Sequence, residues 1–518
     1  MSSLKYHDKE CQFWLDISTM NFSETTLLLY QEKWSQSVIA MQELEKGSIA
    51  NPDENRMVGH YWLRNSQLSP TNDIASSIET SIKDITQFSK KILDGEIGSA
   101  SNRPFTHVLL AGIGGSALGP QFLYDALKER QQGLTFSFLD NTDPDGIERL
   151  FADLNLSETL VLVISKSGGT PETRNGLLET KRQFALQNID FPQHAVAITG
   201  VNSKLDKEAI SDGWVKRFPL WDWVGGRTSV TSTVGLVPAA LMGINLDEFL
   251  HGAREMDELT RSPQLVQNPA GLMALAWYES GNGKGERANV VLPYRDRLLL
   301  FSRYLQQLIM ESIGKSHDLE GNLVEQGLTV YGNKGSTDQH AFVQQLRDGK
   351  NDFFVTFIEA LDDANAETTL IDDTFSTGDY LFGFLEGTKQ ALSDQKRPFM
   401  SITIPQINAR TVGQLIALFE RTVGYYASLI GINAYHQPGV EAGKKASATI
   451  LNLQKALLKY LDNCEEGIAL SDLSMALKAD KNLVYRLVRR LAYNQRCDIN
   501  TTGDDLDSMI IMGNKREK

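Results

Sequence analysis

Apolar residues recur three or four apart at Ile82, Ile85, Phe88 and Ile92, within Thr80 to Leu93, which is the stripe of an amphipathic helix. Residues 1–105 as a whole read as an N-terminal helical segment with polar connections. The texture changes at His107. Short apolar runs at Val108 to Ala111, Thr135 to Leu139, Thr159 to Ile164 and Ala195 to Ile198 now alternate with helix-length stretches such as Ser116 to Leu127. Thr159 to Ile164 is continuously apolar after its first residue, as suits a strand buried on both faces. A second series follows at Asn289 to Leu292, Leu328 to Tyr331, Phe353 to Ile358 and Met400 to Ile404. Strands separated by helical stretches predict βαβ units, hence an α/β fold with two blocks of parallel sheet covered by helices on both faces.

The last seventy or so residues differ. Leu451 to Leu461 reads as a helix, and Leu470 to Leu477 with Leu483 to Leu491 as two short helices joined by a tight turn, a helix-turn-helix pattern. Arg486, Arg489 and Arg490 would form its basic face. Residues 451–518 hold 11 basic and 10 acidic side chains, however, which is not the basic footprint of a DNA reader. A small packing appendage is the preferred reading.

Charge and composition narrow the function. The 518 residues carry 51 Lys and Arg against 65 Asp and Glu, a formal net charge of −14. Such a chain has no overall field to draw nucleic acid or an anionic membrane, so any anionic ligand needs a local site. Cys11, Cys464 and Cys497 are too few and scattered for a disulfide framework or zinc cluster, and a reducing, cytoplasmic setting is expected. The first residues show no apolar core of signal-peptide length, and no stretch approaches a membrane span.

Six stretches carry candidate chemistry. Gly112-Ile113-Gly114-Gly115-Ser116-Ala117-Leu118-Gly119 lies between a strand and a helix, where glycines allow close backbone approach to a ligand. It also fits the G-x-G-x-x-A dinucleotide fingerprint, with Asp140 near the expected acidic position, so a nicotinamide enzyme and a plain tight turn both stay open. Ser165-Lys166-Ser167-Gly168-Gly169-Thr170-Pro171 gathers three hydroxyls, two glycines and a lysine at another strand-to-helix junction. It lacks the Walker A order, and a phosphate monoester suits it better than a mere capped helix start. In Gly225-Gly226-Arg227 a guanidinium follows two glycines; an oxyanion partner and a surface turn are equally compatible with it.

Gln306 to Ser312 continues the helix whose apolar stripe is Phe301, Tyr304, Leu305 and Leu308. At 100° per residue Glu311 falls beside Tyr304 on the edge of that stripe, with Gln307 one turn earlier. Partial desolvation there would raise a carboxylate toward the range of a general base, although an ordinary boundary glutamate has the same spacing. His340, in Gly335 to Phe342, is an acid/base candidate in a Gly/Ser/Thr-rich turn, against the commoner structural histidine. His436 to Lys444 pairs a turn with a lysine opening a helix, a position usually left to solvent.

Taken together and in this order, these stretches resemble the phosphoglucose isomerase family over roughly residues 105–445. The most specific are Gly112 to Ser116, Gly225 to Arg227, Met310-Glu311-Ser312 with Gly314-Lys315, Gly335 to Phe342, and Gly439-Val440-Glu441 with Gly443-Lys444. The resemblance implies two sugar-isomerase (SIS) domains, at 106–245 and 246–450, flanked by the N-terminal segment 1–105 and a helical extension 451–518. It implies interconversion of glucose 6-phosphate and fructose 6-phosphate, no metal or organic cofactor, and a homodimer.

The resemblance also distributes roles. Ser165, Ser167 and Thr170, with the backbone at Lys166, hold the phosphate; Gly114, Gly115 and Ser116 line the sugar site. Glu311 is the base that moves a proton between C2 and C1, and Arg227 stabilises the enediolate. His340, contributed by the partner subunit, and Lys444 assist ring opening, while Gln307 and Gln437 position the substrate. Nucleic acid and membrane are not expected partners. Two alternatives stand beside this reading: a sugar-phosphate-sensing SIS regulator without catalysis, and a nicotinamide oxidoreductase using Gly112 and Asp140.

Overall fold

The computed structural model describes residues 4–20, 24–128, 133–363, 370–371, 373–464, 466–501 and 509–513. The chain forms two compact units, residues 1–436 and 437–518.

The first unit holds two large sheets and a small hairpin. Its strands are β1 (Lys5–Asp8), β2 (Phe13–Asp16), β3 (His107–Ala111), β4 (Thr135–Leu139), β5 (Thr159–Ile164), β6 (Ala195–Thr199), β7 (Lys216–Pro219), β8 (Ala288–Pro293), β9 (Lys315–His317), β10 (Leu323–Gln326), β11 (Val330–Tyr331), β12 (Phe353–Ala360) and β13 (Phe399–Ile404). One sheet is parallel throughout, in the order β4-β3-β5-β6-β7. The other runs β1-β2-β13-β12-β8-β11; its last four strands are parallel, and β2 joins β13 antiparallel. β9 and β10 pair with each other.

The central strand β5 is buried at every position, and β12 at all but one. Alternate residues serve different cores. Leu160 and Leu162 join an extended apolar cluster that continues through Phe354 and Ile402 of the other sheet. Val161 and Val163 face a separate cluster with Leu177 and Phe184 of the helix Pro171–Leu186. Helices therefore cover both faces, giving the expected layered α/β architecture.

Several departures from the sequence reading occur in this unit, the unexpected β9–β10 hairpin among them. Residues 5–16 are not helical but form the β1–β2 hairpin on the edge of the second sheet. Phe13 and Leu15 are buried and alternate with partly exposed Trp14 and Asp16, a period of two too short to stand out in the sequence. β7 is a further edge strand, missed because Lys216-Arg217 opens it with charge.

The helix Ala409–Leu429 is buried along nearly its whole length. It crosses the helix Leu246–Leu259 backbone to backbone: a Cβ on Gly252 would fall 1.9 Å from the Arg410 carbonyl oxygen, and one on Gly413 2.2 Å from that of Phe249. Beside this crossing lies an ionic network, buried at Arg64, Asp257, Glu420 and Arg421 and partly exposed at Glu45 and Arg261. Arg64 pairs with Asp257 at 2.8 Å and with Glu420; Arg421 pairs with Glu45 at 2.8 Å and Asp257 at 3.2 Å; Arg261 pairs with Glu45 at 2.9 Å. Three cations meet three anions, which is how such charges tolerate burial.

The second unit opens with the helix Pro438–Asp462, which runs through residue 450 without a break. The helices Leu470–Leu477 and Lys481–Tyr493 follow, then β15 (Cys497–Thr501) and β16 (Met509–Gly513), with β14 (Ile468–Ala469) completing a sheet in the order β14-β16-β15. The extension is thus a helix-turn-helix with a small antiparallel sheet rather than helical alone. Leu470, Val484, Val488, Cys497 and Ile511 form its separate core. Among the described residues, no helix is long and apolar enough to cross a membrane.

Candidate active site

β3 and β5 are neighbours in the parallel sheet, so the loops at their C-terminal ends lie side by side, the usual ligand-binding edge of such a sheet. After β3 the chain turns through the short 3₁₀ segment Gly114–Ser116, with Gly114 at φ +58°. A Cβ on Gly115 would lie 2.1 Å from the Gly226 carbonyl oxygen, so the loop touches the Gly225-Gly226-Arg227 turn through bare backbone. A Cβ on Gly114 would lie 3.1 Å from the Gln307 side-chain nitrogen. Gly114, Gly115, Gln307 and Arg227 are therefore brought together, with Ser116 on the same turn.

After β5 the hydroxyls fold the loop on itself. The Ser165 hydroxyl accepts from the Gly168 N–H at 3.1 Å, and that of Ser167 from the Gly169 N–H at 3.1 Å. Gly168 has φ +67°, and a Cβ there would meet the Leu205 nitrogen at 2.4 Å. Thr170 occupies the N-cap position of the helix Pro171–Leu186 without a side-chain capping bond. Hydroxyls, loop amides and the positive end of a helix suit a phosphate. The Lys166 side chain turns toward the 222–225 loop, donating to the Asp222 carbonyl at 2.9 Å and that of Val224 at 3.3 Å. Burial, then Arg56, lowers its pKa.

Arg227 is only 7% exposed. Its Nε donates to the Ser312 hydroxyl at 2.9 Å, and one terminal nitrogen to the carbonyls of Ala434 at 2.7 Å and His436 at 3.2 Å. The other lies 3.1 Å from Glu311 Oε2. Gln307 donates to the same carboxylate oxygen at 3.2 Å. Arg227, Ser312, Lys166, Trp223 and His60 share one pocket.

The helix expected to carry Glu311 is α-helical over Phe301–Leu305, widens into a π turn over Gln306–Glu311 and closes with a last α step at 312–313. The phase predicted at 100° per residue is lost there. Tyr304 is buried, while the Glu311 side chain keeps 22% exposure and faces Arg227. π turns recur at functional sites because they re-aim side chains within a helix.

His340 ends the 3₁₀ turn Thr337–His340 and is exposed; among the described residues it makes no hydrogen bond to Glu311 or Arg227. Gln437 and Lys444 belong to the second unit, Gln437 at the N-cap of the helix Pro438–Asp462 and Lys444 exposed within its early turns. Asp140, the acid of the dinucleotide alternative, accepts from Gln121 at 2.8 Å. The sequence reading singled out no contacts of Lys315, although Gly314-Lys315 belongs to one of its motifs. The Lys315 ammonium, 5% exposed by residue, donates to the carbonyls of Glu311 at 2.8 Å and Ser312 at 2.7 Å.

A family model described as phosphoglucose isomerase matches residues 20–383 and 385–463. The chain is 55% identical over 495 residues to a glucose-6-phosphate isomerase of Nostoc sp. (strain PCC 7120), covering 95% of this chain and 94% of the relative. It is 52% identical over 505 residues to one of Synechococcus elongatus, covering 96% and 95%. A crystal structure of a glucose-6-phosphate isomerase from Chlamydia trachomatis superposes with a TM-score of 0.78 at 25% identity, covering 87% of this chain and 90% of that one. Together with the layered α/β fold, these matches mean that the chain belongs to the phosphoglucose isomerase family.

Proposed function

We propose that the protein interconverts glucose 6-phosphate and fructose 6-phosphate by proton transfer through an enediolate. The observation that carries this reading is the Glu311 carboxylate held at 3.1 Å from the buried Arg227, beside the glycine loop after β3. An aldose–ketose shift removes the proton on C2 of the open-chain sugar and returns it to C1. As Glu311 takes that proton its charge is neutralised, and an equal negative charge appears on the enediolate oxygens. Arg227 neighbours the carboxylate and in this reading faces the enediolate as well, so the charge moves within the reach of one fixed cation.

The remaining roles follow from chemistry and family resemblance. Ser165, Ser167 and Thr170, with the Lys166 backbone, take the phosphate; Gly114, Gly115 and Ser116 border the sugar; Gln307 and Gln437 orient it. His340 and Lys444 open the ring. The family resemblance is the ground for a homodimer in which each subunit lends His340 to the other, and the exposure of this histidine is compatible with it. A cytoplasmic location accords with a sugar phosphate as substrate.

A coupled assay, with fructose 6-phosphate supplied and glucose 6-phosphate detected, tests the reading. Wild type turns over. Glu311→Gln loses about 10³-fold or more in kcat while sugar phosphate still raises its thermal midpoint. Near-normal turnover by that variant would remove Glu311 as the base.

A further inference from the structure

Lys315 opens β9 immediately after the helix end that carries Glu311. Its two acceptors, the carbonyls of Glu311 and Ser312, lie at the C-terminal end of the π turn, where helical carbonyls lack partners and the helix dipole is negative. Arg227 holds the same two residues from the side-chain side, through the Ser312 hydroxyl at 2.9 Å and the Glu311 carboxylate at 3.1 Å. Two buried cations thus grip one dipeptide, one by its backbone and one by its side chains.

We infer that Lys315 is a positioning residue for the isomerisation: it fixes the backbone from which Glu311 reaches the substrate and adds a second positive charge beside the developing enediolate. This rests on the reading of Glu311 as the base.

The ionisable groups acting on Lys315 are Arg227, Glu311 and Asp53, and Lys315 in turn acts on His436. Burial first, then Arg227, pushes the ammonium down to about 8, against the opposing pull of Glu311 and Asp53. His436 is shifted in the same direction, below its ordinary 6.5, by burial first, so it titrates on the acid side. A neutral amine keeps two N–H donors for its two carbonyls. Loss of the proton therefore removes the charge and leaves the hydrogen bonds, which separates electrostatic positioning from mere structural support. In the free enzyme kcat/KM is expected to fall as pH rises through about 8. A bound anionic sugar phosphate favours the ammonium, so the same limb in kcat lies at higher pH.

The test is a pH–rate profile from about pH 6 to 10, with fructose 6-phosphate, for wild type, Lys315→Met, Lys315→Arg and Glu311→Gln. Lys315→Met is expected to lose about 10²-fold in kcat, with KM changed only a few-fold, and to lose the alkaline limb. Lys315→Arg keeps the charge and two donors; it is expected to recover at least roughly a tenth of wild-type kcat, with the limb displaced above pH 9. A flat wild-type profile across this range overturns the inference without any variant. So does a folded Lys315→Met with wild-type rate and limb, or a folded Lys315→Arg no better than Lys315→Met. If Glu311→Gln is inactive while Lys315→Met is normal, only the Lys315 inference fails; an active Glu311→Gln removes the base assignment itself.

Discussion

Arg227 makes its site by contacts that no local pattern announces. Ser312 lies 85 positions further on, and the carbonyl of Ala434 207 positions further on, yet both take hydrogen bonds from the same guanidinium. The sequence therefore left Arg227 evenly balanced between an oxyanion partner and a turn arginine, and only the order of several motifs tipped the reading. Gly115 was legible as a residue permitting close approach, but what approaches is the backbone of Gly226 rather than a ligand alone. A methyl group there would have to displace backbone at 2.1 Å. Gly115→Ala should push the Gly225–Arg227 turn away from the glycine loop and cost about 1–3 kcal/mol of stability. Its kcat should fall with the Arg227–Glu311 geometry, read by parallel thermal melts and steady-state rates. A variant with wild-type rate would mean that the two turns move independently.

Among the elements, the long parallel strands were easy to read because runs buried on both faces carry no competing period, as at Thr159–Ile164. The π turn at Gln306–Glu311 was not, because a helical hydrophobic stripe does not record a change of winding within one turn. The ionic network was hidden for another reason: its charges sit in helices whose sequence gives no sign of which carboxylate meets which guanidinium. Glu45 ends the helix Gln31–Glu45, Asp257 belongs to Leu246–Leu259, and Glu420 and Arg421 to Ala409–Leu429, so the network ties three helices. Burial would raise the Glu45 carboxyl, but Arg421 and Arg261 overcome it and hold it down from 4.5 to about 2. A depressed folded-state value contributes stability above the unfolded value of 4.5, lost as pH falls from there toward 2. The contribution at neutral pH is of order 3 kcal/mol. Glu45→Gln should lower the thermal midpoint at pH 7 and flatten its decline in acid; an unchanged acid decline would assign the loss to other carboxylates.

The whole molecule comprises a large first unit, which holds Arg227 and Glu311, and a second unit that carries Gln437 and Lys444 as well as a core of its own. The family model ends at residue 463, while the second unit keeps its own apolar core around Leu470, Val484 and Ile511. Its two short helices were legible from their spacing; its three strands were not, since one spans two residues and the others are separated by a long connection. The β1–β2 hairpin has a consequence of a different kind, in the order of synthesis. Thr19 is hydrogen-bonded to the Phe399 carbonyl, 380 positions away, and β2 reads its register from β13. β1 and β2 can pair with each other as soon as both are made, but β2 meets its second partner only after β13 has been made, and until then the second sheet stays open along that edge. Such long-range pairing slows folding and leaves strand edges exposed in the meantime. Nascent chains arrested before β13 should present the N-terminal hairpin to protease, whereas chains arrested well beyond it should protect the same bonds. Equal protection of both would show that the hairpin closes on something nearer in the chain.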